Sequence, residues 1–96
     1  MDFNDFNRVS KALSDHNRVL MLIEAAKQEW IEYSDLLLTF NLSQPTMSHH
    51  IKILRDAGLL VIKKDGTRIR CSLGYQVIDE FNHYLQELAN QCPRQN

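Results

Sequence analysis

The stretch NLSQPTMSHHIKILRDAGLLVIKKDGTRIRCSL, residues 41–73, brings Gln44, Thr46, Ser48 and the adjacent His49 and His50 onto one short segment. Four cations follow, Lys63, Lys64, Arg68 and Arg70, around an Asp-Gly pair. Gln, Ser, Thr and His carry the donors and acceptors that read base edges, while Lys and Arg neutralise phosphate. The charge is also sorted along the chain. Residues 43–70 hold six basic and two acidic residues, a net of +4, against five basic and ten acidic elsewhere, a net of −5. The overall charge of −1 therefore hides a basic segment on an acidic body, a field that attracts phosphate on one side only.

Those side chains need a helix and a hairpin to aim them. At ~100° per residue, Met47, Ile51 and Leu54 fall in one narrow arc and must face a core. Pro45, His49, Lys52 and Asp56 then point outward, with Thr46 and Ser48 on the flanks and Gln44 at the tip. Ser43 is placed to cap this helix, Pro45 sits in its first turn, and Gly58 ends it. After Gly58 the pattern becomes β-branched: LLVIKK, the hairpin signal Asp65-Gly66, then TRIRCSL. Alternation sets Ile69, Cys71 and Leu73 on one face and Arg68, Arg70 and Ser72 on the other. A merely solvated polar helix is the ordinary alternative, and the sorted charge argues against it.

The remaining segments are helical. Phe3, Phe6, Val9 and Leu13 are spaced three and four apart, so residues 3–13 form an amphipathic helix. Ser14–Asn17 supply cap chemistry for VLMLIEAA, which is apolar on nearly all sides and belongs at the centre of a core. Ser34 can cap a short helix over Asp35–Phe40. A last helix, Tyr75–Asn90, presents Val77, Ile78, Phe81, Leu85 and Leu88 and is stopped by Pro93. The order predicts a single domain of mainly α (α+β) class, a winged helix-turn-helix with about five helices and a two-stranded β-hairpin wing. Its terminal helices carry apolar stripes that one small core cannot cover. Phe3, Phe6, Val9, Leu13, Ile78, Phe81, Leu85 and Leu88 are accordingly expected at a two-fold homodimer interface.

Composition bounds the class. A 96-residue domain buries only roughly 60–65% of the surface of its unfolded chain, so dimerisation is a natural way to add core. Hydrophobic content of 44% with 24% charge marks a folded, soluble chain. The longest apolar run, Val19–Ile23, is far too short to span a membrane. The acidic start, MDFNDFNRVSK, has no cationic region of a secretory signal, and Cys71 and Cys92 make no disulfide framework. A reduced, cytoplasmic protein is expected. There is no G-x-S-x-G and no glycine-rich nucleotide loop, so an enzyme is not expected. A winged helix turned to protein interaction is the alternative class, and it predicts absent or salt-insensitive DNA binding.

LSQPTMSHHIKILRDAGLL resembles the recognition helix of the ArsR/SmtB family of bacterial winged-helix repressors. LSDHNRVLMLI is similar to the segment entering that family's second helix, with His16-Asn17 where Pro-Thr is usual. The resemblance covers residues 8–73. It implies a homodimer that binds an imperfect inverted repeat in double-stranded DNA and represses transcription until an effector lowers its affinity. By position it assigns the recognition helix to Gln44–Ala57 and the wing to Val61–Leu73. The DNA-contacting set is then Gln44, Thr46, Ser48, His49, Lys52, Lys63, Lys64, Arg68 and Arg70. The family's paired sensor thiols fall on Glu32 and Ser34, and its last-helix ligands on Tyr75, Val77, Glu87 and Asn90. Neither set suits a soft metal or tetrahedral zinc. The metal site is expected to be non-canonical or absent, no cofactor is expected, and the effector stays unknown.

Asp79, His83 and Glu87 lie four apart and could meet a metal across a dimer, although such triplets are usually solvated hydrogen-bond ladders. His49 and His50 diverge by about 100° and cannot chelate one ion together. His49 is expected at DNA, His50 packed on the body, and His16 in helix structure. Cys71 is expected buried and inert, and Cys92 near an exposed end, with redox pairing the lesser reading. Trp30, Tyr33 and Phe40 are expected to pack helices.

Overall fold

The protein, seen in a computed structural model, is described over residues 1–93. Asp2 opens α1 (Phe3–Ala12) with a reciprocal cap: its carboxylate accepts from the Asp5 N–H at 2.8 Å, while the Asp5 carboxylate accepts from the Asp2 N–H at 3.3 Å. Asp15 caps α2 (His16–Ala26) by accepting from the Arg18 N–H at 3.1 Å. A two-residue strand, β1 (Ile31–Glu32), runs directly into α3 (Tyr33–Thr39). Ser43 then caps α4 (Gln44–Asp56), with Pro45 in the first turn. β2 (Leu60–Asp65) and β3 (Arg68–Leu73) form the hairpin, and α5 (Tyr75–Ala89) closes the described chain.

The sheet has three antiparallel strands in the order β1-β3-β2, not the expected two. Ile31 pairs with Cys71 and Glu32 with Arg70, which ties the middle of β3 to the chain entering α3. The hairpin turn also sits one residue later than expected. Asp65 pairs with Arg68, so the loop is Gly66-Thr67, and Gly66 alone takes positive φ, at 63°. Glycine at the first central position is the requirement of a type II′ turn, whose twist matches the flanking strands. The register still sets Ile69, Cys71 and Leu73 on one face. The short helix begins at Tyr33 rather than Asp35, because strand pairing holds Glu32 extended until the helix starts. Ser34 is therefore inside the first turn, and no side chain caps α3.

Met21, Leu36, Met47, Leu54, Leu59, Leu60, Val9 and Cys71 are fully buried, so α1, α2, α3, α4 and the sheet share one core. Val9 is only 2% exposed and packs within its own protomer, which leaves it no surface to give an interface. α5 buries no residue completely; Val77, Ile78 and Phe81 rest against the core. It is joined to α1 by Phe6, whose ring stacks on Phe81 at 4.8 Å and on Tyr84 at 4.3 Å between centroids. Phe3, Leu85 and Leu88 stay exposed along the same two helices. At the junction of recognition helix, wing and α5 two glycines meet. Gly58 has φ 79° against the Val77 side chain. A Cβ on Gly74 would fall on the Gly58 carbonyl oxygen, while the Gly74 N–H donates to the Leu59 carbonyl at 2.8 Å.

Candidate nucleic-acid interface

Rotation around α4 is anchored by its buried side. Met47, His50, Ile51 and Leu54 are buried, and Gln44, Thr46, Ser48, His49 and Lys52 are exposed. The first turn is held by Ser43, whose Oγ lies 2.8 Å from Thr46 Oγ1 and accepts from the Thr46 N–H at 3.4 Å. Thr46 is thus drawn toward the cap, which leaves Gln44, Ser48 and His49 as the freer polar groups. Lys52 donates to Asp56 at 3.3 Å, and Arg55 lies 3.8 Å from the same carboxylate. The exposed side of the helix is polar at its start, and toward its end two cations share one carboxylate and leave a net charge of +1.

The wing cations are not equivalent. Arg68 lies 3.7 Å from Glu32 and Arg70 lies 3.7 Å from Asp65. The Arg70 guanidinium also sits 4.1 Å above the Trp30 ring, while its Nε is buried without a hydrogen-bond partner. Among the described residues Lys63 and Lys64 make no ion pair, so they are the wing's free charges. Lys63 faces Arg70 across the ladder and Lys64 faces Ile69, so the two lysines point to opposite faces of the ribbon. Trp30, Lys63, Lys64, Asp65 and Arg70 line an open cleft of about 410 Å³ on this wing. Trp30 lies outside every helix and packs on the wing rather than on helices, a role that a lone aromatic before a two-residue strand does not announce.

His50, turned about 100° from His49, is buried where His49 is exposed. Its ring is 7% exposed and its Nδ1 accepts from Arg18 Nη1 at 3.2 Å. Arg18 also donates to the carbonyls of Ala12 at 2.8 Å and Lys11 at 3.1 Å. The Arg18 N–H on the Asp15 carboxylate holds that acid below the usual carboxylate range, helped by the positive charge of Arg18. Burial pushes the Cys71 thiol up to about 11, which keeps it protonated and unreactive. Cys92 is exposed. On α5, His83 lies 3.6 Å from Glu87 in an exposed pair, and among the described residues no three His, Cys, Asp or Glu side chains converge.

A helix-turn-helix over α3 and α4, followed by a β-ribbon that carries free lysines, defines a winged helix-turn-helix. Residues 15–61 match the family described as bacterial regulatory protein, arsR family. The chain is 33% identical over 85 residues to the arsenical resistance operon repressor of Staphylococcus xylosus, covering 88% of this chain and 81% of that protein. It is 30% identical over 84 residues to the transcriptional repressor SdpR of Bacillus subtilis (strain 168), covering 88% and 92%. Two solved structures share the fold. An ArsR-like transcriptional regulator from Rhodococcus sp. RHA1 has a TM-score of 0.81 at 23% identity, over 91% of this chain and 81% of that one. The homodimeric winged helix-turn-helix domain of Mb0332 from Mycobacterium bovis has a TM-score of 0.70 at 19% identity, over 97% and 86%. The chain belongs to the ArsR family of bacterial regulatory proteins, which are DNA-binding regulators and not enzymes. No helix among the described residues is long and apolar enough to cross a membrane.

Proposed function

We propose that the protein is a cytoplasmic homodimeric transcriptional repressor that binds an inverted-repeat operator in double-stranded DNA. The observation that carries this reading is the exposed polar start of α4, held by a buried apolar side and flanked by a wing with two unpaired lysines. A two-fold dimer would place two such helices on half-sites about one helical turn apart. The Staphylococcus and Bacillus relatives are named as repressors, and the Mb0332 domain is described as homodimeric, which supports the same assembly here. Gln44, Ser48 and His49 would read bases, with Thr46 close to the cap and Lys52 pointing outward beside Asp56. Lys63, Lys64, Arg68 and Arg70 would hold the backbone.

The sensing chemistry departs from that of paired thiols. Glu32 and Ser34 occupy those positions, and Glu32 is committed to Arg68. Carboxylate and hydroxyl oxygens do not hold As(III) or Cd(II) as thiolates do. The effector of this regulator is therefore read as something other than a soft metal at that helix.

Selection of bound duplexes from a random pool tests the function. The expected product is a pseudo-palindrome, and Gln44→Ala or His49→Ala should lower discrimination between selected and random DNA by ~1–3 kcal/mol. Equal losses on both DNAs would show that these residues do not read sequence. No enrichment at all would turn the fold toward protein interaction.

A further inference from the structure

We infer that Arg18 and His50 form a latch that seats the recognition helix against the dimer-side helix α1, with His50 a positioning residue for DNA binding. The inference rests on the proposed DNA-reading role of α4. One guanidinium joins three helices: it belongs to α2, donates to the Lys11 and Ala12 carbonyls at the end of α1, and donates to His50 on α4. The Ala12 carbonyl is one that a helix C-terminus leaves unpaired, and the Lys11 carbonyl also accepts from Ser14, so Arg18 completes α1 at Ala12 while gripping α4. His50 immediately follows His49, one of the side chains proposed to face bases. A shift of its ring therefore moves the reading face directly.

The chemistry of the pair fixes the protonation state. Arginine has donors only, so the His50 Nδ1 at 3.2 Å must accept, and the ring must be neutral with its proton on Nε2. A second proton would set two cations against each other in a site where His50 is 7% exposed. The groups facing the ring are Arg18 from α2, Asp15 that caps α2, and the neighbouring His49 ring, 6.1 Å away on α4 itself. α1 adds only the two carbonyls that hold Arg18. The carboxylate nearest to Nδ1 is Asp15, at 3.9 Å, already accepting the Arg18 N–H. Protonation thus releases the ring from Arg18 and draws it toward Asp15. That motion shifts α4 away from its DNA-reading seat.

The test compares wild type with His50→Gln, whose amide oxygen can accept from Arg18 but takes no proton, and His50→Leu, which fills the space without an acceptor. Binding to the selected duplex is measured from pH 5.5 to 8. At pH 7.5 the Gln variant should stay within about twofold of wild type, while the Leu variant should lose about tenfold in discrimination, the size of one hydrogen bond to a charged group. As pH falls, affinity of wild type relative to the Gln variant should drop, because only wild type loses the acceptor. A ratio that is flat with pH, or a Leu variant that discriminates as well as wild type, would overturn the latch. Two readouts need no DNA. Ring nitrogen NMR should show unprotonated Nδ1 at neutral pH, and amide exchange in α4 should quicken in His50→Leu but not in His50→Gln. A protonated Nδ1 at neutral pH overturns the latch whether or not the protein binds DNA. Normal ring and exchange behaviour with no DNA enrichment would reject the proposed function and, with it, any DNA-positioning role for His50.

Discussion

At the scale of single residues, spacing indicates direction but not partnership. The rotation that turns Met47, Ile51 and Leu54 inward follows from helical period alone, and all three are buried. Nothing in the period shows that Arg68 meets Glu32, or that Arg70 lies over Trp30, because those pairs join segments far apart in the chain. The same limit hid the role of Arg18, which reads as an ordinary helical cation until its three acceptors are seen. These pairings change what each charge can do for DNA. Lys63→Ala and Lys64→Ala should each reduce the slope of log K against log salt by about one for every phosphate left without its cation. Arg68→Ala should reduce it less, since Glu32 already offsets part of that charge. Equal changes for all three would show that Glu32 does not hold Arg68 in the complex, and unchanged slopes would take the wing off the DNA.

The elements were legible wherever they were long enough to show a period. All five helices and both wing strands announce themselves by apolar spacing, cap chemistry and the hairpin glycine, with only the bounds of α3 displaced. β1 does not, because two residues carry no alternation and are recruited by hydrogen bonds from Arg70 and Cys71. The start of α3 moved for the same reason, set by strand pairing rather than by Ser34. Between elements, the closest approach is between glycines. Gly74→Ala would drive a methyl group into the Gly58 carbonyl, where backbone on both sides cannot yield as a side chain would. Overpacking of this kind should cost ~3 kcal/mol, read as a lower denaturant midpoint. Gly66→Ala meets open space and should be limited to the strain of its positive φ, a smaller loss. A Gly74→Ala protein as stable as wild type would mean that the wing and α4 can part without penalty.

The whole molecule is longer than its size requires. Its radius of gyration is 15.2 Å and its extents are 52 × 25 × 25 Å, against about 12.5 Å for a compact domain of this length. The excess accompanies α5, which buries no residue fully and leaves Leu85 44% and Leu88 46% exposed, as Phe3 on α1 is at 61%. A second copy across a two-fold axis would cover such a stripe. Wild type should sediment as a dimer at micromolar concentration, and Leu85→Asp with Leu88→Asp should sediment as a folded monomer with much weaker operator binding. The Phe6 ring is the wrong probe, since its stack with Phe81 and Tyr84 holds α1 to α5 inside one protomer. A wild-type monomer at that concentration would reject the assembly.

The two residues of β1 set a further condition on how this protein meets its operator. A free two-stranded ribbon can flex about its base, but here Ile31 and Glu32 brace β3 at its middle. The separation between the groove-reading helix and the wing tip becomes a fixed ruler. In the proposed complex, any misfit between that ruler and the local helical repeat would fall on the nucleic acid, which would bend or twist to meet both ends. If both elements contact DNA as proposed, base pairs lying beneath neither would enter the selection through their stiffness, and flexible steps between the two footprints would be favoured without being touched.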